Sequence, residues 1–424
     1  MTLAIRNVRL IDPASGRDEI GDICIADGAI ESVGPGAGER PAGRVIEGGG
    51  LMALPGLVDM HVHLRDPGQT HKEDLHTGAL AAAAGGVTSL LAMPNTSPAV
   101  DTPEVLRDIL ARAEGEPVRI YQSGCITTGL KGETPADLAA LSAAGAAAFT
   151  DDGRPVYNSR YMRQALIEAA RLGKPVVSHC EDLYLATGGI MNEGPVSRAL
   201  GVRGIPAAAE DAAVAREVAL AAETGAPLHV CHVSTAGSLA IIRAAKKNGV
   251  RVTCETGPHY FWFTDGALKA RDADFRMNPP LGSTADKKAV LAALLDGTID
   301  AIATDHAPHA PAEKADFEKA PNGVVGMETS LSAGYTALVK SGLMDMADLV
   351  RLMSLNPARI LGLPAGTLSP GAPADLCLFD PAACWTVEPS ELHGKSRNTP
   401  FKGMTLAGKV RLTVCRGRVI YEDK

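Results

Sequence analysis

Between residues 55 and 363 this 424-residue chain repeats one rhythm, a short apolar stretch, a loop and then an alanine-, leucine- and glutamate-rich stretch, and that rhythm limits its fold more than any other feature. The apolar stretches fall at 57–62, 87–92, 118–122, 146–150, 176–179, 228–232, 250–254 and 299–304. Their length and bounding turns read as strands. Helical patterns follow them at 72–84, 102–114, 134–143, 158–172, 207–224, 235–247, 284–295 and 327–340. Starts such as Thr102-Pro103-Glu104 and Thr134-Pro135 and stops at Gly85, Gly145, Gly173, Gly225 and Gly249 support those boundaries. Eight strands alternating with eight helices is the count of a closed α/β barrel. An open doubly wound sheet is the weaker reading, because no Gly-x-Gly-x-x-Gly follows an early strand.

The two ends of the chain have a different texture. Leu3 to Leu10, Asp22 to Ala26, Ala29 to Val33 and Arg44 to Ile46 read as short strands, with Asp27-Gly28 as a hairpin turn. Ala374 to Asp380, Trp385 to Val387 and Met404 to Ile420 resemble them. Neither end can bury a core alone, so residues 1–54 and 364–424 are expected to pair as one small β-sandwich domain beside a barrel spanning 55–363.

Composition removes several functional classes. A formal charge of -8 and the lack of a basic run give no footprint for nucleic acid. Apolar runs such as 79–84 and 87–93 are too short to cross a membrane, and the first residues lack a signal-peptide pattern, so a cytoplasmic enzyme is expected. The cysteines, among them Cys180, Cys231, Cys254, Cys377 and Cys415, lie in apolar runs without Cys-x-x-Cys spacing and read as buried thiols of a reducing compartment.

The chemistry-bearing residues gather where barrel strands end, the face on which barrel enzymes build their sites. His61 and His63 close the first strand, and by alternation share one face while Met60, Val62 and Leu64 take the other. Taken alone, such a pair fits a solvated strand face as well as a metal. Thr150-Asp151-Asp152 follows the fourth strand, His179 the fifth, His229 and His232 the sixth, and Asp305, His306 and His309 the eighth. Four histidines with two aspartates on one rim suffice for two divalent ions sharing a carboxylate, and imidazole-rich ligation favours zinc over magnesium.

The motifs Asp59-Met-His-Val-His-Leu-Arg-Asp-Pro-Gly68, Met93-Pro-Asn-Thr96, Thr150-Asp-Asp-Gly153, His229-Val-Cys-His-Val-Ser-Thr235, Met277-Asn-Pro-Pro280 and Ala303-Thr-Asp-His-Ala-Pro-His309 together resemble the amidohydrolases and, within them, the bacterial class I dihydroorotases, over essentially the whole chain. The resemblance implies one metal on His61 and His63, a second on His179 and His232, Asp305 at the first metal as the catalytic proton carrier, and Asp151 bridging two Zn2+ ions together with a hydroxide. Many relatives use a carboxylated lysine as the bridge, and Thr150-Asp151-Asp152 stands in its place here. Arg65 and Asn95 are implied as holders of the substrate carboxylate, with His63, Asn278, His309 and the Asn322-Gly323 backbone completing the substrate shell. A guanidinium fork suits a planar carboxylate. The resemblance further implies a homodimer and admits aspartate transcarbamoylase as a partner. Gly282 departs from the pattern, which usually has an arginine after Leu281.

Four functions are then compared: a dihydroorotase, a related hydantoinase or allantoinase, an inactive scaffold for aspartate transcarbamoylase, and a nucleic-acid binder. Arg65 and Asn95 favour an acidic substrate over the neutral cyclic amides, a complete ligand set argues against a scaffold, and composition argues against nucleic acid. Of the remaining histidines, His229 is left between support for the site and core, His259 reads as a locally bonded loop residue, His71 and His76 as structural or surface residues, and His306 as facing away from Asp305. Cys180 is not expected to be a nucleophile.

Overall fold

The computed structural model describes residues 2–39 and 42–423. Leu57–Val62, Val87–Ala92 and Arg119–Gln122 form one parallel ladder, and Val176–Ser178, Leu228–Val230, Val252–Thr256 and Ala301–Ile302 form another. The fourth stretch is narrower than expected: Phe149 alone bridges Gly124 on one side and Val176 on the other, both parallel. A last parallel bridge, Val62 to His306, closes the ring. Eight strand positions therefore make a closed barrel, and the mixed α/β fold expected from the rhythm is what the chain adopts.

Local chemistry explains the helix starts. Asp74, Thr102, Asp137, Asn158, Thr235 and Ser283 each accept a backbone N–H of the first turn, at the heads of helices Leu75–Ala84, Pro103–Ala113, Leu138–Ala143, Ser159–Arg171, Ala236–Lys247 and Thr284–Leu295. The stretch expected at 327–340 begins as an α-helix, Met327–Gly334, and widens into a π turn over Tyr335–Val339. Val58, Met60, Leu91, Ala147, Val177, Cys231 and Ala301, drawn from six strand positions, form one buried cluster capped by Ala358 and Leu361.

The first strand departs from strict alternation. Its register against the second slips between Asp59 and Val62, so one extra residue is inserted there. Met60 consequently packs with Val58 in the inner cluster, whereas Val62 and Leu64 pack with the helices. The bulge resets the phase and turns both His61 and His63 inward immediately after Met60, a placement that simple alternation does not give.

Strands from both chain ends join in one further sheet of eight, which contains Leu3–Asp12, Arg17–Ala26, Met52–Pro55, Leu376–Thr386 and Thr405–Cys415. Period two divides its faces. Leu10, Ala53, Leu376 and Leu378 fill a core of the sheet's own, while Ile11, Met52, Leu54, Cys377 and Phe379 belong to the main core against the barrel. Pro55 pairs with Leu376, and Leu57 starts the barrel two residues later, so the outer sheet holds the strand that delivers the two histidines.

Candidate metal centre and active site

Buried side chains from five strand ends meet at one mouth of the barrel. His61 Nε2 lies 3.3 Å from Asp152 Oδ1 and 3.6 Å from Asp305 Oδ1. His63 Nε2 lies 3.2 Å from Asp305 Oδ1 and 3.4 Å from Asp152 Oδ2. On the other side of Asp152, His179 Nδ1 and His232 Nε2 approach its Oδ1 to 3.8 and 3.9 Å and each other to 2.8 Å. Asp152 thus faces all four histidines. His61, Asp152 and His232 on one hand, and His61, His63 and Asp305 on the other, each bring ligand atoms within 4.8 Å of one another.

The expectation that Asp151 is the shared carboxylate needs correction. Its Oδ1 accepts the backbone N–H groups of Ile126 and Thr127 at 2.8 and 3.0 Å, and its Oδ2 accepts the Thr127 hydroxyl. Neighbouring residues in extended chain point to opposite sides, so only one of the Asp151-Asp152 pair can enter the centre. Burial pushes the Asp151 carboxyl up to about 6 against the hydrogen bonds from Thr127 and Ile126. No lysine lines the cleft among the described residues.

The groups present fit divalent metal. His61 Nε2 and Asp152 Oδ1, which face each other across the centre, are buried with no hydrogen-bond partner, a state that is costly unless something else satisfies them. Burial would raise the Asp152 carboxyl, but the charges of His61, His63 and His179 hold it well below the carboxylate range. Asp305 is lowered likewise, against its burial, by a hydrogen bond from His63 and by His61. Burial, with His179 and His61 alongside, lowers His232 to about 3. Against burial, Asp152 raises His61 and Glu181 raises His179; the aspartates and His232 are thus already in the forms that ligate metal, and binding would displace protons from the other two imidazoles. The site is a binuclear metal centre built from histidine and aspartate. Chelation is expected to lower Tm, by mass action on a ligand that binds only the folded state; an unchanged Tm after verified metal removal would contradict this fit.

A surrounding layer orients the ligands, and most of it escaped sequence reasoning. Glu255, from the end of the seventh strand, bonds His61 Nδ1 at 2.9 Å and lies 3.2 Å from His229 Nε2, while His229 Nδ1 pairs with the Thr253 hydroxyl at 2.8 Å. His229 therefore supports a ligand at one remove. Burial would raise Glu255, but His229 and His61 lower it to about 2. A carboxylate behind an imidazole fixes the ring's tautomer and direction. Glu181 does similar work from two residues beyond His179, 3.3 Å from its Nε2, and accepts Asn278 Nδ2 at 3.0 Å. The i, i+2 spacing of His179 and Glu181 was the available signal. Asn95 Oδ1 pairs with His63 Nδ1 at 2.9 Å and its Nδ2 donates to Asp152 Oδ2 at 3.3 Å.

The cleft of about 130 Å³ above the centre is lined by His63, Arg65, Asn95, Asp152, Asn278, Asp305, Asn322 and Gly323, among others. Arg65 donates Nε to the Pro308 carbonyl at 3.2 Å, and its Nη2 lies 3.4 Å from His309 Nε2. It makes no ion pair with a carboxylate within 4.0 Å among the described residues, which leaves its fork for another anion. His309 Nε2 also meets the Asn322 carbonyl at 2.8 Å. Arg65, His232 and Asp305 all have left-handed backbone, at φ 60°, 35° and 46°. Such conformations cost about 1–3 kcal/mol each in non-glycine residues and collect at functional sites. The turn at His232 is why Cys231 stays in the inner cluster while His232 reaches the centre.

The other histidines divide as follows. His306 sends Nε2 to within 3.6 Å of Glu73, away from Asp305. His259 is buried near the site and lowered to about 4 by burial. His71 and His76 are largely exposed. Burial and Glu217 raise the Cys180 thiol well above its ordinary range, which rules it out as a ready nucleophile. Gly282 makes room for Asp286, whose Cβ lies 2.8 Å from where a side chain would start, and its carbonyl accepts the Asp265 N–H at 2.9 Å; no arginine could enter without a shift.

Fold and site together define a metal-dependent hydrolase of the barrel type. The amidohydrolase family model matches residues 52–420. The chain is 52% identical to a dihydroorotase from Geobacter sp. (strain M21) and 47% identical to one from Syntrophus aciditrophicus, each across the full length of both chains. Among solved structures it superposes on an L-hydantoinase (dihydropyrimidinase) from Arthrobacter aurescens with a TM-score of 0.90 at 27% identity, over 99% of this chain and 96% of that one. A dihydropyrimidinase from Brevibacillus agri gives 0.87 at 26%, over 100% and 96%. The chain belongs to the amidohydrolase family, among its dihydroorotase members.

Proposed function

We propose that this enzyme is a zinc dihydroorotase, interconverting L-dihydroorotate plus water with N-carbamoyl-L-aspartate in pyrimidine synthesis, and that it works in the cytoplasm as a homodimer. The observation that carries the reading is Arg65, a cation without a protein carboxylate, aimed into a cleft floored by the metal ligands. Two divalent ions, which His61, His63, Asp152, His179, His232 and Asp305 would hold, would supply an acidified water and polarise the amide carbonyl. Asp305 is ionised at neutral pH and lies against His63, so its carboxylate can accept the proton of the attacking water. It then delivers that proton to the departing ring nitrogen. Arg65 and Asn95 take the substrate carboxylate, while Asn278, His309 and the Asn322-Gly323 backbone hold the ring.

The likeness to hydantoinase structures favours a second reading, hydrolysis of a neutral cyclic amide by the same frame. Turnover of dihydroorotate, hydantoin and allantoin, with metal content measured on the same sample, separates the two. Arg65→Met sharpens the test. A charge-assisted, buried contact is worth about 2–5 kcal/mol, so kcat/KM for dihydroorotate is expected to fall at least about 30-fold, with far less change toward a neutral amide. Equal losses on both substrates at unchanged metal content would favour the hydantoinase reading. Association with aspartate transcarbamoylase is tested separately, by co-elution of the two purified proteins.

A further inference from the structure

The stretch from His393 to Asn398, which lies in sequence among the strands of the outer sheet, crosses the barrel rim instead. Its outer anchors are three polar contacts: the Lys395 N–H donates to Glu73 at 3.0 Å, the Ser396 hydroxyl to the Lys72 carbonyl at 2.6 Å, and the more exposed His393 ring pairs with Glu328 at 2.8 Å. Its inner end is the buried Asn398. Asn398 Oδ1 accepts the His309 N–H at 3.1 Å, and Nδ2 donates to the carbonyls of Gly323 and Ala307 at 3.0 and 3.4 Å. Its own carbonyl accepts the Val325 N–H at 3.0 Å. One side chain thus clamps together the two loops that carry His309 and Asn322-Gly323. The clamp is tight: a Cβ on Gly323 would lie 2.7 Å from the Ala307 carbonyl oxygen and 3.0 Å from His309 Nε2.

We infer that Asn398 is a positioning residue for substrate binding, holding the His309 and Gly323 loops at the separation the substrate ring requires while making no contact with the metal ligands. The inference deepens the proposed function and rests on its assignment of those loops to the substrate. An amide is needed because the three partners are one donor and two acceptors, which only a group carrying both C=O and NH2 satisfies. Asn398→Asp keeps the acceptor for His309 but sets a carboxylate against two carbonyl oxygens.

The test is steady-state kinetics in both directions on the metal-loaded full chain. Asn398→Asp is expected to raise KM for L-dihydroorotate and for N-carbamoyl-L-aspartate at least about tenfold, with kcat within about threefold and metal content unchanged. Asn398→Ser, which retains a short donor and acceptor, should fall between it and the parent, and it carries the test if the aspartate variant does not fold. A purely structural role predicts instead a loss of kcat in proportion to the folded fraction with KM unmoved, and that result overturns the inference. If the parent enzyme opens only a neutral cyclic amide, the functional reading fails by itself; the same two variants are then read on that amide, where an unmoved KM overturns the role of Asn398 as well.

Discussion

Replacing Asp152 with asparagine is expected to cut bound metal to about one ion or fewer per chain and to lower kcat/KM by at least about 10³, whereas Asp151→Asn keeps both. Among the described residues Asp152 is the one carboxylate within 4.0 Å of His61, His63, His179 and His232 together. An amide there loses the negative charge that offsets two cations and leaves only one oxygen to offer. The Lewis-acid contribution of a metal pair is several kcal/mol, and about 4 kcal/mol corresponds to the stated thousandfold loss. Asp151 works on the backbone. Its asparagine variant still accepts the Ile126 and Thr127 N–H groups through Oδ1, so its cost is about 1 kcal/mol of stability. Elemental analysis beside thermal melts for both variants decides the matter. Metal lost from the Asp151 variant and retained in the Asp152 variant would return the bridge to Asp151.

Asp305→Asn is expected to reduce kcat by about 10³ or more when assayed at saturating metal, and the loss should persist across the pH range in which the parent is active, because Asp305 is held ionised throughout it. The carboxylate has two functions in the proposed reaction, accepting a proton and returning it, and general acid–base catalysis alone contributes about 10²–10⁴. Asparagine keeps the shape and the contact with His63 but cannot carry the proton. Metal titration separates this role from metal binding. If Asp305 only held a metal, excess metal would restore the rate; full recovery of that kind would refute the proton-carrier assignment.

The barrel was readable from the sequence because its evidence is periodic and repeated. Most helix starts have a capping residue, at Asp74, Thr102 or Ser283 for example, and the strands have bounding turns. The centre was readable in composition but not in phase. Choosing between Asp151 and Asp152 depends on how the chain turns after Phe149, and the inward placement of both His61 and Met60 depends on a bulge that alternation does not encode. The left-handed backbone at His232 turns that residue into the centre against strand alternation, so only the motif, and not the strand pattern, pointed to it. Glu255 and Asn398 were illegible for another reason. Their roles arise from partners 194 and 89 residues away in the chain, His61 and His309, and no local pattern announces such a meeting.

The ring closes where the first barrel strand meets the eighth, through the Val62 and His306 pairing, a 2.8 Å bond from the His63 N–H to the His306 carbonyl, and the Asp59 carboxylate on the Thr304 N–H. His63 and Asp305 sit directly on that seam. During synthesis the two histidines of the first strand leave the ribosome some 240 residues ahead of Asp305, so until the eighth strand is made the nascent chain has an incomplete ligand set and no enclosure. Metal capture is consequently a late event that reports ring completion, and a fragment ending before the eighth strand should neither retain zinc nor compete with the finished enzyme for it.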